Sequence, residues 1–221
     1  AYIPTEAEMI WDEFFSKYSR ENGVLYYDGD AVAVELQAEP VDFADIQGHW
    51  AEDAIVDTVE KGLFAGTSAT SFSPEESVNR GMAITVIGRS ALAVGAPVFA
   101  SDTFEDVAYS DYFAPYVGWA VQDGIAQGTS ATTFEPAATI TREELAVMVV
   151  NYIEKTGKTL PEVDPAADYS DADAISSWAM DAVDKMQRSN LMTGKENGRF
   201  DPQGALTRAE LAVVMQRIAA L

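Results

Sequence analysis

The chain contains no cysteine and a single histidine, His49. Without thiols there is no disulfide and no thiolate chemistry, and a lone imidazole with no serine or metal-ligand constellation around it supplies neither a nucleophile pair nor an acid–base pair. Cations are scarce as well: 14 basic residues face 36 acidic ones, for a net charge of −22. That balance excludes nucleic acid as a partner, because binding there depends on basic groups displacing counterions. No apolar run reaches the roughly 18 residues that cross a bilayer, so no transmembrane segment is expected. The first residues also lack the basic region and apolar run of a secretory leader, which implies that a leader has been removed or that the chain is part of a longer protein. What the chain does have is 221 residues, 48% of them hydrophobic and 10% aromatic, enough for one or two packed domains.

Its most informative feature is a threefold internal repeat. An F-x-D motif, an aromatic-led apolar stretch, a G-x-x-x-G spacing, an F-x-P motif and a short capping signal with an arginine follow one another three times. The copies align as Phe43, Asp45, Trp50, Gly62, Gly66, Phe72, Pro74 and Arg80; as Phe104, Asp106, Tyr112, Gly124, Gly128, Phe134, Pro136 and Arg142; and as Tyr169, Asp171, Trp178, Asn190, Gly194, Phe200, Pro202 and Arg208. A nearly constant period with variable linkers is the mark of duplicated supersecondary units. We place the boundaries at residues 41–100, 101–164 and 165–221, with residues 1–40 outside the repeat.

In that first segment, Thr5 to Tyr18 carries Ala7, Ile10, Trp11, Phe14, Phe15 and Tyr18 on one helical face, with Thr5 as N-cap and Glu8 three positions on. Val24–Tyr27 and Ala31–Leu36 flank Asp28-Gly29-Asp30 and predict a short hairpin. Each repeat reads as helix, loop, helix. The first helices carry the stripes Trp50, Ala54, Ile55, Thr58 and Val59; Tyr112, Tyr116, Val117, Ala120 and Val121; and Trp178, Ala182, Val183 and Met186. Glycine or asparagine then stops each of them. The loop that follows is expected to be pinned by its buried phenylalanine, with a short strand there. The second helices, Ala83–Ala91, Leu145–Tyr152 and Leu211–Leu221, are strongly apolar. Units this short cannot bury such faces alone, so the three must share one core.

Thr141-Arg142-Glu143-Glu144 and Thr207-Arg208-Ala209-Glu210 fit the capping box, with threonine capping the third helical amide and glutamate returning to the threonine's own amide. The arginine therefore falls in the first helical turn, where the dipole disfavours a cation. Repetition of that choice points to an anionic partner, either a bound carboxylate or phosphate at surface arginines or a neighbouring carboxylate across the repeat interface. Asn79-Arg80-Gly81-Met82 keeps the cap and the arginine but lacks the glutamate, so this helix start is expected to fray and to make the weakest site. A glycine there would alternatively admit a ligand closer to the backbone. Trp50, Tyr112 and Trp178 are read as core residues with one exposed edge, or as platforms for a sugar ring.

These motifs resemble surface-layer homology domains, whose marks are F-x-D-V, a tryptophan-led helix, G-x-x-x-G, F-x-P and T-R-A-E. Thr207 to Glu210 reproduces the last of these literally. The resemblance covers residues 43 to 221 and implies a mainly α fold: three helix–loop–helix repeats in a pseudo-threefold trimer, first helices forming a central bundle, with grooves between repeats and the N-terminal helix and hairpin appended. It implies non-covalent anchoring of a surface protein to the bacterial cell wall, outside the cell, through a secondary cell-wall polysaccharide bearing pyruvylated N-acetylmannosamine. Carried over residue by residue, Arg80, Arg142 and Arg208 become anion contacts, and Trp50, Tyr112 and Trp178 flank the grooves. Gly66, Gly128 and Gly194 let backbone approach the ligand. Asp45, Asp106 and Asp171 bond sugar hydroxyls or cap the helix approach, and Asn79, Thr141, Glu144, Thr207 and Glu210 cap the helices at the sites.

Two other functions compete with this one. An S-layer lattice or cation-dependent interaction module would use acidic faces such as Asp164, Asp168, Asp171 and Asp173, although their order does not match a calcium loop. A wall ligand made of modified peptidoglycan would suit the acidic surface if its modification were cationic. No enzyme, cofactor or metal site is expected. His49 is read as a helix-entry residue, and a catalytic domain upstream is left open.

Overall fold

The computed structural model describes residues 18–21, 24–27, 30–34, 42–93, 103–163, 165, 168–195 and 197–221. Its backbone divides into two units, Ala1–Val41 and Asp42–Leu221.

In the first unit, strands β1 (Tyr18–Glu21), β2 (Val24–Tyr27) and β3 (Asp30–Val34) form an antiparallel sheet in the order β1-β2-β3. Tyr18 pairs with Tyr27, and Tyr27 with Asp30, with an irregularity between Leu25 and Tyr26. The expected hairpin is thus extended by a third strand. Tyr18 belongs to that strand rather than closing a helix, and the remainder of the expected helix lies outside the described residues.

The second unit is helical. Its elements are α1 (Glu52–Glu60), α2 (Arg80–Ala93), α3 (Ala114–Gln122), α4 (Arg142–Lys155), a 3-10 turn (Ala172–Ala174), α5 (Met180–Arg188) and α6 (Arg208–Ala219). The first helix of each repeat is short; α1 and α5 are one-sided, burying Ala54, Ile55 and Thr58 and Ala182, Val183 and Met186, whereas α3 buries Ala114, Val117, Gly118, Trp119 and Ala120. Each stops on a left-handed residue, at φ 68° for Gly62, 73° for Gly124 and 55° for Asn190. Asparagine serves in the third copy because it tolerates that region better than other side chains.

The second helices, not the first, occupy the centre. α2 packs on both α4 and α6, whereas α1 lies on α6, α3 on α2 and α5 on α4. The nine-residue first helices bury three to five residues each, while α4 buries nine and belongs inside. Every first helix therefore rests on the second helix of the preceding repeat, so the repeats interlock in a ring. Gly88 of α2 makes room for the Tyr116 ring of α3, which a β-carbon there would strike.

The ring closes on itself through the backbone. Val78 N donates to Leu206 O (2.8 Å), Leu206 N to Ile140 O (3.2 Å) and Ile140 N to Val78 O (3.0 Å), a cyclic triangle on the pseudo-threefold axis. All three side chains are fully buried. Loss of any repeat opens this triangle and strands buried amides or carbonyls, which costs about 1–3 kcal/mol for each group.

Phe72, Phe134 and Phe200 are wholly buried, as expected for loop pins, but no strand forms there. Instead the residue between each phenylalanine and its proline is left-handed: Ser73 at φ 61°, Glu135 at 56° and Asp201 at 61°. Each such non-glycine residue costs about 1–2 kcal/mol. The aspartate of the F-x-D motif holds the conformation. Asp45 accepts from Phe72 N (2.9 Å) and Ser73 N (2.7 Å), Asp106 from Phe134 N (2.9 Å) and Glu135 N (2.7 Å), and Asp171 from Phe200 N (2.8 Å) and Asp201 N (2.9 Å).

Candidate inter-repeat binding grooves

The capping signals form as helix starts. Thr141 and Thr207 accept from Glu144 N and Glu210 N, whose carboxylates accept in return from the two threonine amides, and Asn79 Oδ1 accepts from Met82 N at 2.8 Å. The first two helical amides are also satisfied. Arg80 N and Gly81 N donate to Ala138 O and Pro136 O, Arg142 N and Glu143 N to Gly204 O and Pro202 O, and Arg208 N and Ala209 N to Glu76 O and Pro74 O. The expectation that free amides at these helix ends receive an anion is therefore corrected: the F-x-P loop of the next repeat fills them. Gly81 is likewise a packing requirement, since a β-carbon would come 2.9 Å from the Phe113 ring.

The arginines are not surface residues either. Arg80 is 5% exposed, and Arg142 and Arg208 are 3% exposed. Each crosses into the next repeat and enters a socket of one design. Arg142 Nε donates to Phe200 O (2.8 Å), Nη2 to Thr193 O (2.8 Å) and Nη1 to Glu210 Oε1 (2.9 Å), with its guanidinium 5.0 Å from the Phe200 ring centre. Arg80 repeats this with Phe134 O (3.0 Å), Gln127 O (2.9 Å), Glu144 Oε1 (3.2 Å) and the Phe134 ring. Arg208 donates to Phe72 O (2.8 Å) and Ala65 O (2.7 Å) and lies over the Phe64 and Phe72 rings, but its third contact is Met82 Sδ at 3.3 Å. The capping-box glutamate thus has two tasks, holding its own helix and neutralising the preceding repeat's arginine. Of the two partners open at the sequence level, the neighbouring carboxylate fits Arg80 and Arg142. Met82 belongs to the socket of Arg208, not of Arg80.

The aromatics reverse the other expectation. Trp50 is 65% exposed, Tyr112 58% and Trp178 58%, each standing in the turn ahead of its helix rather than in the core. Trp50 is propped from behind by the His49 ring at 5.4 Å. His49 accepts from Ala51 N at Nδ1 (3.1 Å) and meets Glu75 Oε1 through Nε2 (2.9 Å), which fixes the entry to α1.

Trp50 forms one wall of a groove enclosing about 460 Å³, whose other walls are the loop Leu191–Lys195, α6 and Arg142. Lys195, Arg217, Glu210 and Glu75 complete its charged lining. Lys195 Nζ reaches Glu210 Oε1 at 2.5 Å, and Arg217 Nη1 donates to Asn190 O at 2.8 Å. Burial alone would raise the Glu210 carboxyl, but Lys195, the Thr207 amide and Arg142 outweigh it and hold the group below its usual value. Three cations against two carboxylates make this groove net positive on a strongly negative chain. The pseudo-threefold relation places Tyr112 beside the loop Leu63–Thr67 and Arg208, and Trp178 beside the loop Ile125–Thr129 and Arg80. In agreement, the Tyr112 hydroxyl, raised by burial, is countered by Arg89 and Arg208.

Of the remaining sequence candidates, Gly194 and Thr207 line the groove. A β-carbon at Gly66, Gly128 or Gly194 would overlap the ring of Phe43, Phe104 or Tyr169, so these glycines admit an internal aromatic. Asp45, Asp106 and Asp171 give both oxygens to loop amides, neither capping a helix nor facing a groove. Burial would raise Asp45 and Asp171, yet those amides prevail and hold both below the ordinary value. Asp171 is thereby committed away from the acidic stretch considered as a cation site, and Asp164 lies outside the described residues. Arg217 and Arg89 were not singled out from sequence. Their signal is positional: Arg89 and Arg217 each lie nine residues after a capping arginine.

The S-layer homology domain family matches residues 42–83, 103–146 and 168–212. An endoglucanase of Bacillus sp. (strain KSM-635) is 31% identical over 186 residues, 83% of this chain and 19% of that protein. The surface-layer 125 kDa protein of Lysinibacillus sphaericus is 34% identical over 60% of this chain and 12% of its own length. The cellulosome-anchoring protein of Acetivibrio thermocellus is 26% identical over 66% of this chain and 33% of its own length. The chain thus spans a third or less of these relatives. It belongs to the S-layer homology domain family.

Proposed function

From that membership we propose that the chain is a non-catalytic module that fastens a larger protein to the bacterial cell wall, outside the cell, by holding a wall glycan in the grooves between its repeats. Residues 41–100, 101–164 and 165–221 act as one unit in this reading, with residues 1–40 as an extension. The relatives support anchoring as the shared element, because a surface-layer protein, a cellulosome-anchoring protein and an endoglucanase have matching segments within otherwise different proteins.

The observation that carries the reading is the groove under Trp50. An exposed indole suits the apolar face of a sugar ring, and beside it Lys195 holds a half-exposed ammonium while Arg142 and Arg217 add positive charge behind it. That lining favours an anionic glycan over a cationic one. We therefore assign the ligand as a secondary cell-wall polysaccharide bearing a pyruvate ketal, as on N-acetylmannosamine, with its carboxylate at Lys195 and its ring on Trp50. The test is capture on purified wall sacculi before and after mild acid, which removes ketal pyruvate and leaves peptidoglycan. Capture should disappear with the pyruvate, and full retention would transfer the ligand to peptidoglycan. Lys195→Ala should weaken capture by roughly tenfold, the loss expected for one charged hydrogen bond.

A further inference from the structure

The three exposed aromatics are held by three different devices, and one of them contains the chain's single imidazole. Asp111 precedes Tyr112 and accepts from Ala108 N at 2.9 Å, while the Phe113 ring meets Tyr112 edge-on at 5.0 Å. Ahead of Trp178, the buried Glu143 fixes the turn by accepting from Ser176 N (2.9 Å) and Ser176 Oγ (2.8 Å). Behind Trp50 stands His49, whose two ring nitrogens have opposite tasks. Nδ1 accepts from Ala51 N and is therefore bare, whereas Nε2 faces the Glu75 carboxylate and therefore carries the proton. Both bonds exist together only in the neutral Nε2–H imidazole. A second proton would sit on Nδ1 and point at the Ala51 amide hydrogen.

The charged groups around the ring do not offset this conflict. Glu75 and Glu76 lie on the F-x-P loop, Asp45 in the preceding turn, Glu52 and Asp53 in the first turn of α1, and Lys195, Arg217 and Glu210 across the groove. Of these only Glu75 bonds to the ring among the described residues, and its side chain is 72% exposed, so water screens its attraction for an imidazolium. Ala51 is 1% exposed, and its amide has no water to turn to once Nδ1 is taken. The ring must then rotate away, which removes the support 5.4 Å behind the Trp50 indole. We propose that His49 is the positioning residue of the Trp50 platform and serves only as the neutral tautomer, so that this groove alone of the three loosens its hold on wall glycan in mildly acid surroundings. This rests on the wall-glycan reading and adds a regulation to it: the grip of one groove follows pH while the other two hold.

The test uses the full isotope-labelled chain at about pH 7.5 and about pH 5.5, on either side of the range in which an ordinary imidazole changes charge. With one histidine in the sequence, its ring nitrogens are read without overlap, and at the higher pH Nε2 should carry the proton and Nδ1 should not. Relaxation of the Trp50 indole nitrogen should report a rigid ring at the higher pH and a mobile one at the lower. Titration with a pyruvylated N-acetylmannosamine methyl glycoside, followed by amide shifts, should give an affinity at Gly194 and Lys195 about tenfold lower at the acid pH, which one lost hydrogen bond accounts for. The responses at Gly66 and Thr67 and at Gly128 and Thr129 should not change. His49→Asn places an uncharged carbonyl where Nδ1 stood, so it should keep the indole rigid at both pH values and remove the pH dependence. His49→Gln reaches Glu75 but not Ala51 and should bind at the weakened level at both. A protonated Nδ1 at the higher pH, a pH dependence that survives in His49→Asn, or an equal loss at all three grooves would each overturn the proposal. Acid-induced motion of Trp50 with no glycoside response in any groove would overturn the wall-glycan reading and leave the role of His49 standing.

Discussion

The Arg142 and Arg208 sockets are built on the same plan and differ in two parts, the glutamate that only Arg142 meets and the second ring, Phe64, that only Arg208 lies over. Both guanidiniums are buried, both lie over a loop phenylalanine, and both donate to two carbonyls of the adjoining repeat. Only the first meets a carboxylate. The geometry of the clamp is thus independent of the ion pair: stacking and backbone carbonyls position the arginine, and the glutamate sets its charge balance. A pseudo-symmetric protein can in this way keep one architecture while giving its grooves different electrostatics.

The harshest way to break this comparison is to remove the third repeat. Truncation after Gly157 deletes Arg208, the partners of Arg142, and the Leu206 corner of the backbone triangle, and it bares the face of α1 that rests on α6. Residues 1–157 should show no sharp thermal transition and no dispersed amide spectrum. A cooperative melt would mean that the repeats fold as separate units.

A finer cut compares the arginines themselves. Arg142→Ala removes one partner of a buried pair and should cost about 3 kcal/mol, the low end for such pairs because Lys195 still meets Glu210. That corresponds to a fall of roughly 6–12 °C for a chain of this size. Arg208→Ala strands two equivalent carbonyls, Phe72 O and Ala65 O, but also removes a desolvated charge with no ion-pair partner among the described residues, so about 1–2 kcal/mol is expected. Chemical denaturation of both variants measures the difference, and equal losses would show that the ion pair adds nothing.

The repeat, the helix starts and the helix stops were legible in the sequence because they are local: a capping box spans four residues, and a left-handed stop shows itself as glycine or asparagine. The partners of the arginines were not. Arg142 meets Glu210 across 68 residues, and nothing local in the sequence separates a distant carboxylate from a bound anion as the partner of the same guanidinium. The exposure of Trp50 was missed for a related reason, since it continues the apolar stripe of α1 but precedes the first helical turn. The left-handed residues of the F-x-P loops were illegible because Ser73, Glu135 and Asp201 share no property that favours that conformation. Their cause lies 28 to 30 residues away, in the F-x-D aspartate.

Those aspartates tie the comparison to pH. Asp45 and Asp171 have carboxyls held below their ordinary value of 3.8 in the folded state, so their contribution is complete above that value and is lost as pH falls through the lower folded ones. Stability should therefore be flat with respect to these groups near neutrality and decline below about pH 4. Asp45 braces the loop whose Phe72 carbonyl receives Arg208, so Asp45→Asn should weaken the junction of the third and first repeats at neutral pH and reduce the acid-induced loss. Denaturation midpoints from about pH 7 to pH 3 for both proteins measure this. Parallel curves would assign the acid sensitivity elsewhere.

The smallest effect separates the loops that receive Arg208 and Arg80. Ser73 and Glu135 have nearly the same left-handed φ, 61° and 56°, and glycine at either position relieves strain of about 1–2 kcal/mol while adding about 0.5–1 kcal/mol of backbone entropy to the unfolded chain. Glu135 is exposed and its side chain makes no hydrogen bond among the described residues, so Glu135→Gly should stabilise the protein by up to about 1 kcal/mol. The Ser73 hydroxyl pairs with Thr67 Oγ1 at 2.7 Å, and losing that bond costs about 0.5–1.5 kcal/mol, so Ser73→Gly should be close to neutral. The same conformational relief is thus cancelled at the Arg208 junction and retained at the Arg80 junction, because at the former the left-handed residue also ties down Thr67 on the rim of the groove beside Tyr112. Denaturant midpoints measured side by side resolve the two, and an equal gain in both variants would show that the Thr67 contact contributes nothing to the ordering of that rim.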